Sequence, residues 1–359
     1  MSVQEEIVDK HVPPSVSIII LNWNGWRDTI ECLESLYRIT YPDYNIIIAD
    51  NGSENDSIEK IKEYLEGKLE VTSNFFKYSG KNKPIPFFEY SYDEFEEEVH
   101  NDRVIIDFPA RKKFILIKNG KNYGFAEGNN IAIRYAIKAL NPKYILLLNN
   151  DTVVDSFFLT ELVNAAESDK NIGFVGPKTY YYDYHERADV INFAGGRLVI
   201  WKGKAIHIGV KEIDKGQYDK ITDVDYIEGS CLLARREALD SVGLFDPKYF
   251  LYWEETDLCM RVKTNGFRLL YSPKAKIWHK GAGSLSGSTH MYYFIRNCFI
   301  FTKKYTTKLQ YLSFLIWFLG YEFWYYSGIS LLYHRDIKEW ESLLKGILAG
   351  LQNHSGREI

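Results

Sequence analysis

The chain has 359 residues, enough for a large hydrophobic core in one domain with an appendage or in two domains. Apolar residues make up 46% and charged residues 26%, which excludes wholesale disorder. The net charge of −4, with scattered lysines, excludes the basic stripe of a nucleic-acid-binding protein. The four cysteines are widely spaced without a CxxC pair, which predicts free thiols in a reducing compartment.

Strands and helices are predicted to alternate in the first part of the chain. Residues 1–14 form a polar extension without the apolar core of a secretory signal, which predicts a cytoplasmic protein. Apolar runs at 16–21 and 44–49 predict buried strands, and the apolar spacing at 27–39 and 58–65 predicts helices. This order is typical of a parallel sheet built from βαβ units.

An interruption follows. Residues 72–112 mix prolines, aromatics and an acidic run, and they predict an insertion whose acidic part is a solvated helix face. The alternation resumes with a strand at 114–117 and a helix at 130–140. Glycines and β-branched residues over 192–210 predict a hairpin.

The stretch YILLLNNDT at 144–152 is the centre of the pattern. Its apolar part does not alternate, which predicts a strand buried on both faces of a parallel sheet, and it ends abruptly in Asn149, Asn150 and Asp151. Oxygen-bearing side chains at this end of a strand lie where open α/β sheets bind ligands, and they suit Mg²⁺ or Mn²⁺ with phosphates completing the shell. A polar turn is the alternative interpretation.

Two further segments lie near the same predicted edge. Asp50 and Asn51 end the second strand, where a carboxylate can accept hydrogen bonds from a base or a ribose, although a simple turn also explains them. Gly124 and Asn129 open a helix after a strand, where a glycine lets a ligand approach the backbone and the helix N-terminus favours phosphate.

The segment WEETD places Glu254, Glu255 and Asp257 within four residues. In a partly buried pocket their mutual repulsion would raise one pKa to a value suited to a general base. The alternative is an acidic first helical turn favoured by the helix dipole. His279, after an apolar strand, is either a structural histidine or a metal ligand beside Asp151. Weaker candidates for contact with a diphosphate are Lys280, His290 and Arg296.

The ordered series VSIIILNWNG, IIIADNGSEND, NYGFAEGNN, LLLNNDT, the long segment from EGSCLL to KTNGF, and IWHKGAGS strongly resembles family 2 glycosyltransferases of the GT-A fold, above all rhamnosyltransferase-like members. The resemblance, which covers about residues 15–285, implies an α/β fold with a mostly parallel nucleotide-binding sheet flanked by helices and a catalytic domain over 15–290. Residues 291–359 lie outside the resemblance, and their aromatic-rich sequence predicts a helical C-terminal region. It also implies inverting transfer of a sugar, such as rhamnose or another hexose, from a nucleotide diphosphate sugar to a hydroxyl of a glycan or lipid-linked glycan acceptor.

Site residues follow from the same resemblance. Glu255 matches the catalytic base, with Glu254 as a competitor for the role, and Asp151, Asn149 and His279 match the ligands of a divalent cation, Mn²⁺ or Mg²⁺. The residues expected to bind the nucleotide sugar are Asn22, Trp23, Asn24, Asp50, Asn51, Gly124, Asn129 and Asn150. Those expected to contact the acceptor or donor sugar are Gly229, Ser230 and Trp253. Two departures are Asn149 in place of an aspartate and Glu255 in place of the commoner aspartate.

Alternatives remain for both the tail and the function. Residues 311–333 are long enough to span a bilayer but carry Glu322 and many Tyr and Trp residues, which prefer the membrane interface. The tail is therefore expected as a helical hairpin on the inner face of the cell membrane through 309–335, as a buried or homodimer-forming helix pair, or as a true span. The alternative functions are a polyprenyl-phosphate sugar transferase and a non-catalytic nucleotide-sugar or glycan-binding scaffold.

Overall fold

The computed structural model describes residues 13–92, 113–281 and 287–357. In chain order its strands are β1 Val16–Asn22, β2 Tyr44–Asp50, β3 Phe88–Ser91, β4 Phe114–Lys118, β5 Tyr144–Asn149, β6 Thr152–Val154, β7 Ile172–Tyr181, β8 Ile191–Phe193, β9 Gly196–Val199, β10 Lys204–His207, β11 Thr222–Asp223, β12 Cys231–Arg235 and β13 Arg268–His279. Its helices are α1 Trp26–Leu36, α2 Ser57–Leu65, α3 Gly124–Tyr135, α4 Phe158–Glu167, α5 Arg236–Val242, α6 Glu254–Thr264, α7 Ser288–Tyr305, α8 Lys308–Trp317, α9 Phe323–Gly328 and α10 Ile337–Gln352.

The central sheet is mostly parallel at its N-terminal side. Its main path runs β11-β13-β7-β12-β5-β1-β2-β4-β3, and β5, β1, β2, β4 and β3 are mutually parallel. The register pairs Asn22 with Asp50 and Leu21 with Asn149, so the polar ends of β1, β2 and β5 lie at one edge. This confirms the predicted α/β architecture.

The sheet becomes mixed beyond β5. β12 is antiparallel to both β5 and β7, whereas β13 is parallel to β7. The predicted hairpin in the middle region is present as β9 and β10, which pair antiparallel outside the main sheet. The strand expected before His279 is β13, which has 12 residues and a register shift between Ser272 and Lys276.

Helices cover both faces of the sheet because each presents an apolar stripe to it. One core joins Leu33 of α1, Ile61 of α2 and Phe158 of α4 to one face of the strands. The other core joins Ile131 of α3 and Leu258 of α6 to the opposite face. All four cysteines are buried free thiols, as the sequence predicts. Within the expected insertion, β3 forms an edge strand, and residues 93–112, with the acidic run, lie outside the described part.

The C-terminal helices pack against the segment that precedes α6. A third core joins Tyr249 and Trp253, which precede α6, to Phe299 of α7, Phe314 of α8 and Leu343 of α10. Among the helices of the described residues, none combines the length and the apolar character needed to cross a bilayer. The boundaries proposed for the domains stay a prediction.

Candidate active site

An open cleft of about 1090 Å³ lies at the edge where the parallel strands end. Its walls come from these strand ends, from the loop before α6 and from the C-terminal helices. Of the residues selected from the sequence, those that line it are Trp23, Asn24, Asn51, Gly124, Asn149, Asn150, Asp151, Gly229, Ser230, Trp253, Glu254, Glu255, His279 and His290. Asp151 and Glu255 therefore face one cavity although they are far apart in the chain.

Strand pairing brings His279 beside Asp151. The chain turns from β5 through Asp151 into β6, and Thr152 of β6 pairs with His279 at the end of β13. His279 Nε2 consequently lies 3.1 Å from Asp151 Oδ1. Burial opposes both charges, but their attraction outweighs it, so the pKa of Asp151 is held below and that of His279 above its usual value. The other ring nitrogen, Nδ1, is buried without a hydrogen-bond partner.

These residues fit a divalent cation. The Asp151 carboxylate and the Asn149 amide offer hard oxygen ligands, and one ring nitrogen of His279, Nδ1, has no hydrogen-bond partner in the protein. No group of three or more His, Cys, Asp or Glu side chains in the described ranges is arranged to hold a metal by itself. A cation at this edge would therefore need phosphate oxygens from a ligand to complete its shell.

The charge of the cleft supports the same conclusion. Its described lining contains six acidic residues and four histidines, but no lysine or arginine. The acidic residues are Asp28, Asp151, Glu228, Glu254, Glu255 and Glu339. A diphosphate would be repelled by these carboxylates unless positive charge accompanies it, since like charges a few ångströms apart cost several kcal/mol in a partly buried site, by about 332/(ε·r).

The predicted nucleotide side divides into lining residues and supporting residues. Asn22 and Asp50 are buried and do not line the cleft; the Asn22 amide donates to Asp50 Oδ2 at 2.7 Å. Asp50 also accepts from the backbone N–H of Ser53 at 2.9 Å. Asn129 is buried too and donates to the Phe125 carbonyl at 2.9 Å. Asp50 thus fixes the loops at the ends of β1 and β2, while the residues of this wall that border the cleft are Trp23, Asn24, Asn51 and Asn150.

Gly124 is required by protein packing. Its φ is +79°, and a Cβ atom there would lie 2.5 Å from the carbonyl oxygen of Phe250 and would overlap its ring. The same Phe250 carbonyl accepts the backbone N–H of Phe125 at 2.7 Å. The absence of a side chain at Gly124 therefore lets the loop before α6 pack closely against the backbone. Gly124 also borders the cleft, where the sequence predicts contact with a ligand.

Glu254 and Glu255 open α6 side by side. Burial raises the pKa of both carboxyls, and the neighbouring charge of Glu255 adds to the effect on Glu254. Glu254 is buried with Oε2 unpartnered, whereas Glu255 is more accessible and accepts a hydrogen bond from the Thr256 hydroxyl at 3.1 Å. Asp257 is fully buried and is held by Arg261 and Lys304, so its role is structural.

The loop before these glutamates has an unusual backbone. Phe250, Tyr252 and Trp253 have φ values of 59°, 68° and 74°, respectively. Bulky residues in this region cost on the order of 1–3 kcal/mol each, and such strain persists only where the surroundings enforce it. The Phe250 ring stacks on Tyr293 at a centroid distance of 5.0 Å, and Trp253 packs on Phe301 at 4.9 Å.

Among the lining residues that were not selected from the sequence, Tyr226, Glu228 and His207 carry polar groups of interest. Glu228 accepts a hydrogen bond from Ser230 Oγ at 2.6 Å and lies 3.8 Å from His207 Nδ1. The hydroxyl of Tyr226 is buried without a partner. Glu228 and Tyr226 precede the Gly229–Ser230 pair, so their position in the segment YIEGS could have drawn attention to them. His207 belongs to the β9–β10 hairpin and is brought in by a long-range contact that no local pattern reveals.

The weaker candidates for diphosphate contact have different positions. Lys280 Nζ lies 2.6 Å from both Asp28 Oδ1 and Glu31 Oε2, so its charge is already paired. Arg296 is fully buried and donates to backbone carbonyls. Only His290 of the three lines the cleft.

Two family models match the chain. Residues 17–81 match the Glycosyl transferase family 2 model, and residues 112–294, more than half of the 359, match the Glycosyltransferase like family 2 model. The chain belongs to glycosyltransferase family 2. This confirms the resemblance read from the motifs.

Relatives of this glycosyltransferase are distant. It is 24% identical over 249 residues to the low-salt glycan biosynthesis hexosyltransferase Agl10 of Haloferax volcanii, covering 67% of this chain and 76% of that protein. It is 31% identical over 162 residues to the rhamnosyltransferase WbbL of Escherichia coli, covering 43% of this chain and 60% of WbbL.

A solved structure with a similar fold is the mannosyltransferase PcManGT of Pyrobaculum calidifontis in complex with GDP-Man and Mn²⁺. The TM-score is 0.53 at 12% identity, and the match covers 96% of this glycosyltransferase and 77% of that chain. The similarity confirms the GT-A-like fold.

Proposed function

We propose that this glycosyltransferase moves a hexose or rhamnose from a nucleoside diphosphate donor to a hydroxyl of a glycan or lipid-linked glycan, with inversion at the anomeric carbon. The observation that carries the proposal is the shared cleft of Asp151, His279 and Glu255. The relatives that transfer hexose or rhamnose are consistent with this substrate class.

The reaction is a single displacement. The acceptor oxygen bonds to the anomeric carbon as the bond from that carbon to the diphosphate oxygen breaks, and attack from the opposite face inverts the centre. A hydroxyl has a pKa far above 7, so a carboxylate must take its proton as the bond forms. Burial raises the pKa of both Glu254 and Glu255, and Glu255 fills this role better because it is the more accessible of the two.

The leaving diphosphate needs charge neutralisation. Asp151, His279 and Asn149 would hold Mn²⁺ or Mg²⁺, which when bound neutralises the negative charge on the departing phosphates. Trp23, Asn24 and Asn51 orient the nucleotide at the other end of the same wall. Tyr226 and Trp253 offer buried hydroxyl and indole donors without protein partners, which suit sugar hydroxyls.

A panel of nucleotide sugars with uridine, guanosine and thymidine bases tests the donor. Each is added with Mn²⁺, and thermal stabilisation and release of the nucleoside diphosphate are measured. We expect one base to stabilise the protein and to be turned over, and the product of transfer to have the opposite anomeric configuration by NMR. Retention of configuration, or no binding by any donor, would contradict the proposal.

Two variants distinguish the alternative functions. Full turnover of Glu255→Gln would favour a polyprenyl-phosphate acceptor, since a lipid phosphate needs little help from a base. Donor binding without turnover in the wild type, across glycan and lipid-phosphate acceptors, would favour a binding scaffold. Loss of turnover in both Glu255→Gln and Asp151→Ala supports the proposed hydroxyl acceptor.

The described C-terminal surface supports an acceptor presented at a membrane. Leu309, Ile316, Trp324 and Leu332 are 80%, 66%, 67% and 79% exposed, respectively. Such an apolar and aromatic face is typical of helices that lie in the membrane interface. His334, directly after this face, lines the cleft, so a lipid-linked acceptor held there would meet the cleft mouth. We include association with the inner face of the cell membrane in the proposal.

A further inference from the structure

The loop 250–253 before Glu255 has a strained backbone, and residues of α7 contact it on the side away from the cleft. Three of its residues have positive φ, and the loop ends at Trp253, the residue before α6. No glycine or proline within 250–253 favours this backbone. The conformation must therefore be imposed by contacts from outside the loop.

Asn297 supplies the most concentrated set of such contacts. Its side chain is fully buried, and Nδ2 lies 2.7 Å from the Tyr249 carbonyl oxygen and 2.8 Å from those of Leu251 and Tyr252. Its Oδ1 accepts Arg296 Nε at 2.9 Å, which fixes the orientation of the amide. The side-chain amide of Asn297 thus lies within hydrogen-bond distance of three backbone carbonyl oxygens.

Arg296 extends the same anchor. Its Nη2 donates to the carbonyls of Lys248 at 3.1 Å and Tyr249 at 3.0 Å, and its Nη1 donates to the Gly356 carbonyl at 2.6 Å. From the other side, the Phe250 carbonyl is bound by the backbone N–H of Phe125. The loop is therefore fixed between α3 and α7, and both sets of bonds act on its backbone.

We propose that Asn297, supported by Arg296, is a positioning residue that holds the loop 250–253 so that Glu255 faces the reacting hydroxyl. This inference rests on the proposed role of Glu255. Asn297 does not line the cleft, so it acts through the loop and not on the substrate. The hydrogen bonds define where α6 begins, and Glu255 lies in its first turn. Loss of the amide should release the backbone strain by moving the loop and with it the carboxylate.

The test compares Asn297→Ala and Asn297→Asp with the wild type. The alanine removes the amide, and the aspartate keeps its shape but turns a carboxylate oxygen toward the three carbonyls. Both should lower kcat by about 10- to 100-fold, as expected when a reacting group is misplaced by roughly 1 Å. The affinity for a nucleoside diphosphate with Mn²⁺ should stay within about twofold, because that wall is not touched. Phe314→Leu is the matched control, since its buried ring packs on Phe299 and Phe318 in the same helical region.

The pH profile separates positioning from simple destabilisation. In Asn297→Ala water should reach Glu255, so its raised pKa falls and the ascending limb of kcat moves to lower pH. Phe314→Leu should lower the melting temperature and leave both kcat and the ascending limb of its pH profile unchanged. The inference would be overturned if Asn297→Ala kept the kcat and the pH dependence of the wild type and differed only in a lower melting temperature. If the alanine variant does not fold, Asn297→Asp provides the same test. If instead Glu255→Gln and Glu254→Gln both keep full turnover, no carboxylate base is needed and the proposed function itself fails, whatever Asn297 does.

Discussion

His279 Nε2 lies 3.1 Å from Asp151 Oδ1, and the contact joins the turn between β5 and β6 to the last residue of β13. The contact depends on the antiparallel pairing of β6 with β13. Two side chains from distant parts of the chain therefore form one candidate cation site, and neither is exposed enough to be explained as a surface ion pair.

Removal of either partner should weaken cation binding. We expect Asp151→Ala and His279→Ala to reduce the affinity for Mn²⁺, measured by calorimetry in the presence of a nucleoside diphosphate, by at least about tenfold, or roughly 1.4 kcal/mol. Asp155→Ala is the control, because Asp155 follows β6 but does not line the cleft. Unchanged Mn²⁺ affinity in Asp151→Ala would place the cation elsewhere.

The two glutamates should differ in their effect on turnover. Glu255→Gln should lower kcat by about 10²- to 10⁴-fold, the usual contribution of a positioned general base. Glu254→Gln should have a much smaller effect, because Glu254 is buried and its unpartnered oxygen is not open to an acceptor. Steady-state transfer rates on the identified donor measure both, and the reverse order would assign the base to Glu254.

Stability should depend on pH through Glu254. Its pKa is raised in the folded protein, so its protonated form stabilises the fold below the unfolded pKa of about 4.3, and this stabilisation is lost as pH rises through the folded value. Glu254→Gln, which cannot ionise, should gain melting temperature relative to the wild type as pH increases. Glu237→Gln, at an exposed position of α5, should show a constant difference across the same pH series. A constant difference for Glu254→Gln would contradict the prediction.

Gly124 and Gly120 form a matched pair of substitutions. Both have positive φ, but a Cβ at Gly120 meets nothing within 4 Å, while one at Gly124 overlaps Phe250. Gly120→Ala should cost about 1–2 kcal/mol for the left-handed backbone alone. Gly124→Ala should cost about 1–3 kcal/mol more because of overpacking. Denaturant unfolding measures both, and equal losses would show that the loop yields freely to the methyl group.

The exposed C-terminal face should bind anionic vesicles. The triple variant Ile316→Ser, Trp324→Ser and Leu332→Ser should reduce cosedimentation with phosphatidylglycerol-containing vesicles by about tenfold or more, because apolar burial in the interface is lost. Ile221→Ser, also at an exposed apolar position but outside this face, should bind as the wild type does. Absence of vesicle binding by the wild type would remove the membrane from the proposal.

Local patterns predict the framework of the site well. The apolar runs that end in Asn22, Asp50 and Asn149 give the strand ends and their common edge, because buried parallel strands have a strong and local signature. His279 and Glu255 could be assigned through the family resemblance, which encodes the topology that brings them together.

Long-range contacts explain what the sequence could not predict. Gly124 was interpreted as a ligand-binding glycine, whereas Phe250, more than a hundred residues later, accounts for it. Contact of Asp50 with the nucleotide stays a prediction, and the structure adds that its oxygens accept hydrogen bonds from Asn22 and Ser53. His207 and Glu228 meet only because the hairpin folds over the cleft. Ser53 is three residues from Asp50, as in the turn that the sequence allows, but the contacts with Phe250, Asn22 and His207 do not follow from spacing or propensity.

The contacts of Gly356 with Lys248, just ahead of the loop 250–253, and with Arg296 have a practical consequence for shortened versions of the protein. Its N–H donates to the Lys248 carbonyl at 2.9 Å, and its carbonyl accepts from Arg296. Trimming the chain ahead of this glycine, a common step in preparing crystals, would remove both bonds while sparing the sheet. Such a truncated protein is expected to remain folded and to have a lower kcat. The lower kcat would not be evidence that the deleted residues contact the sugar.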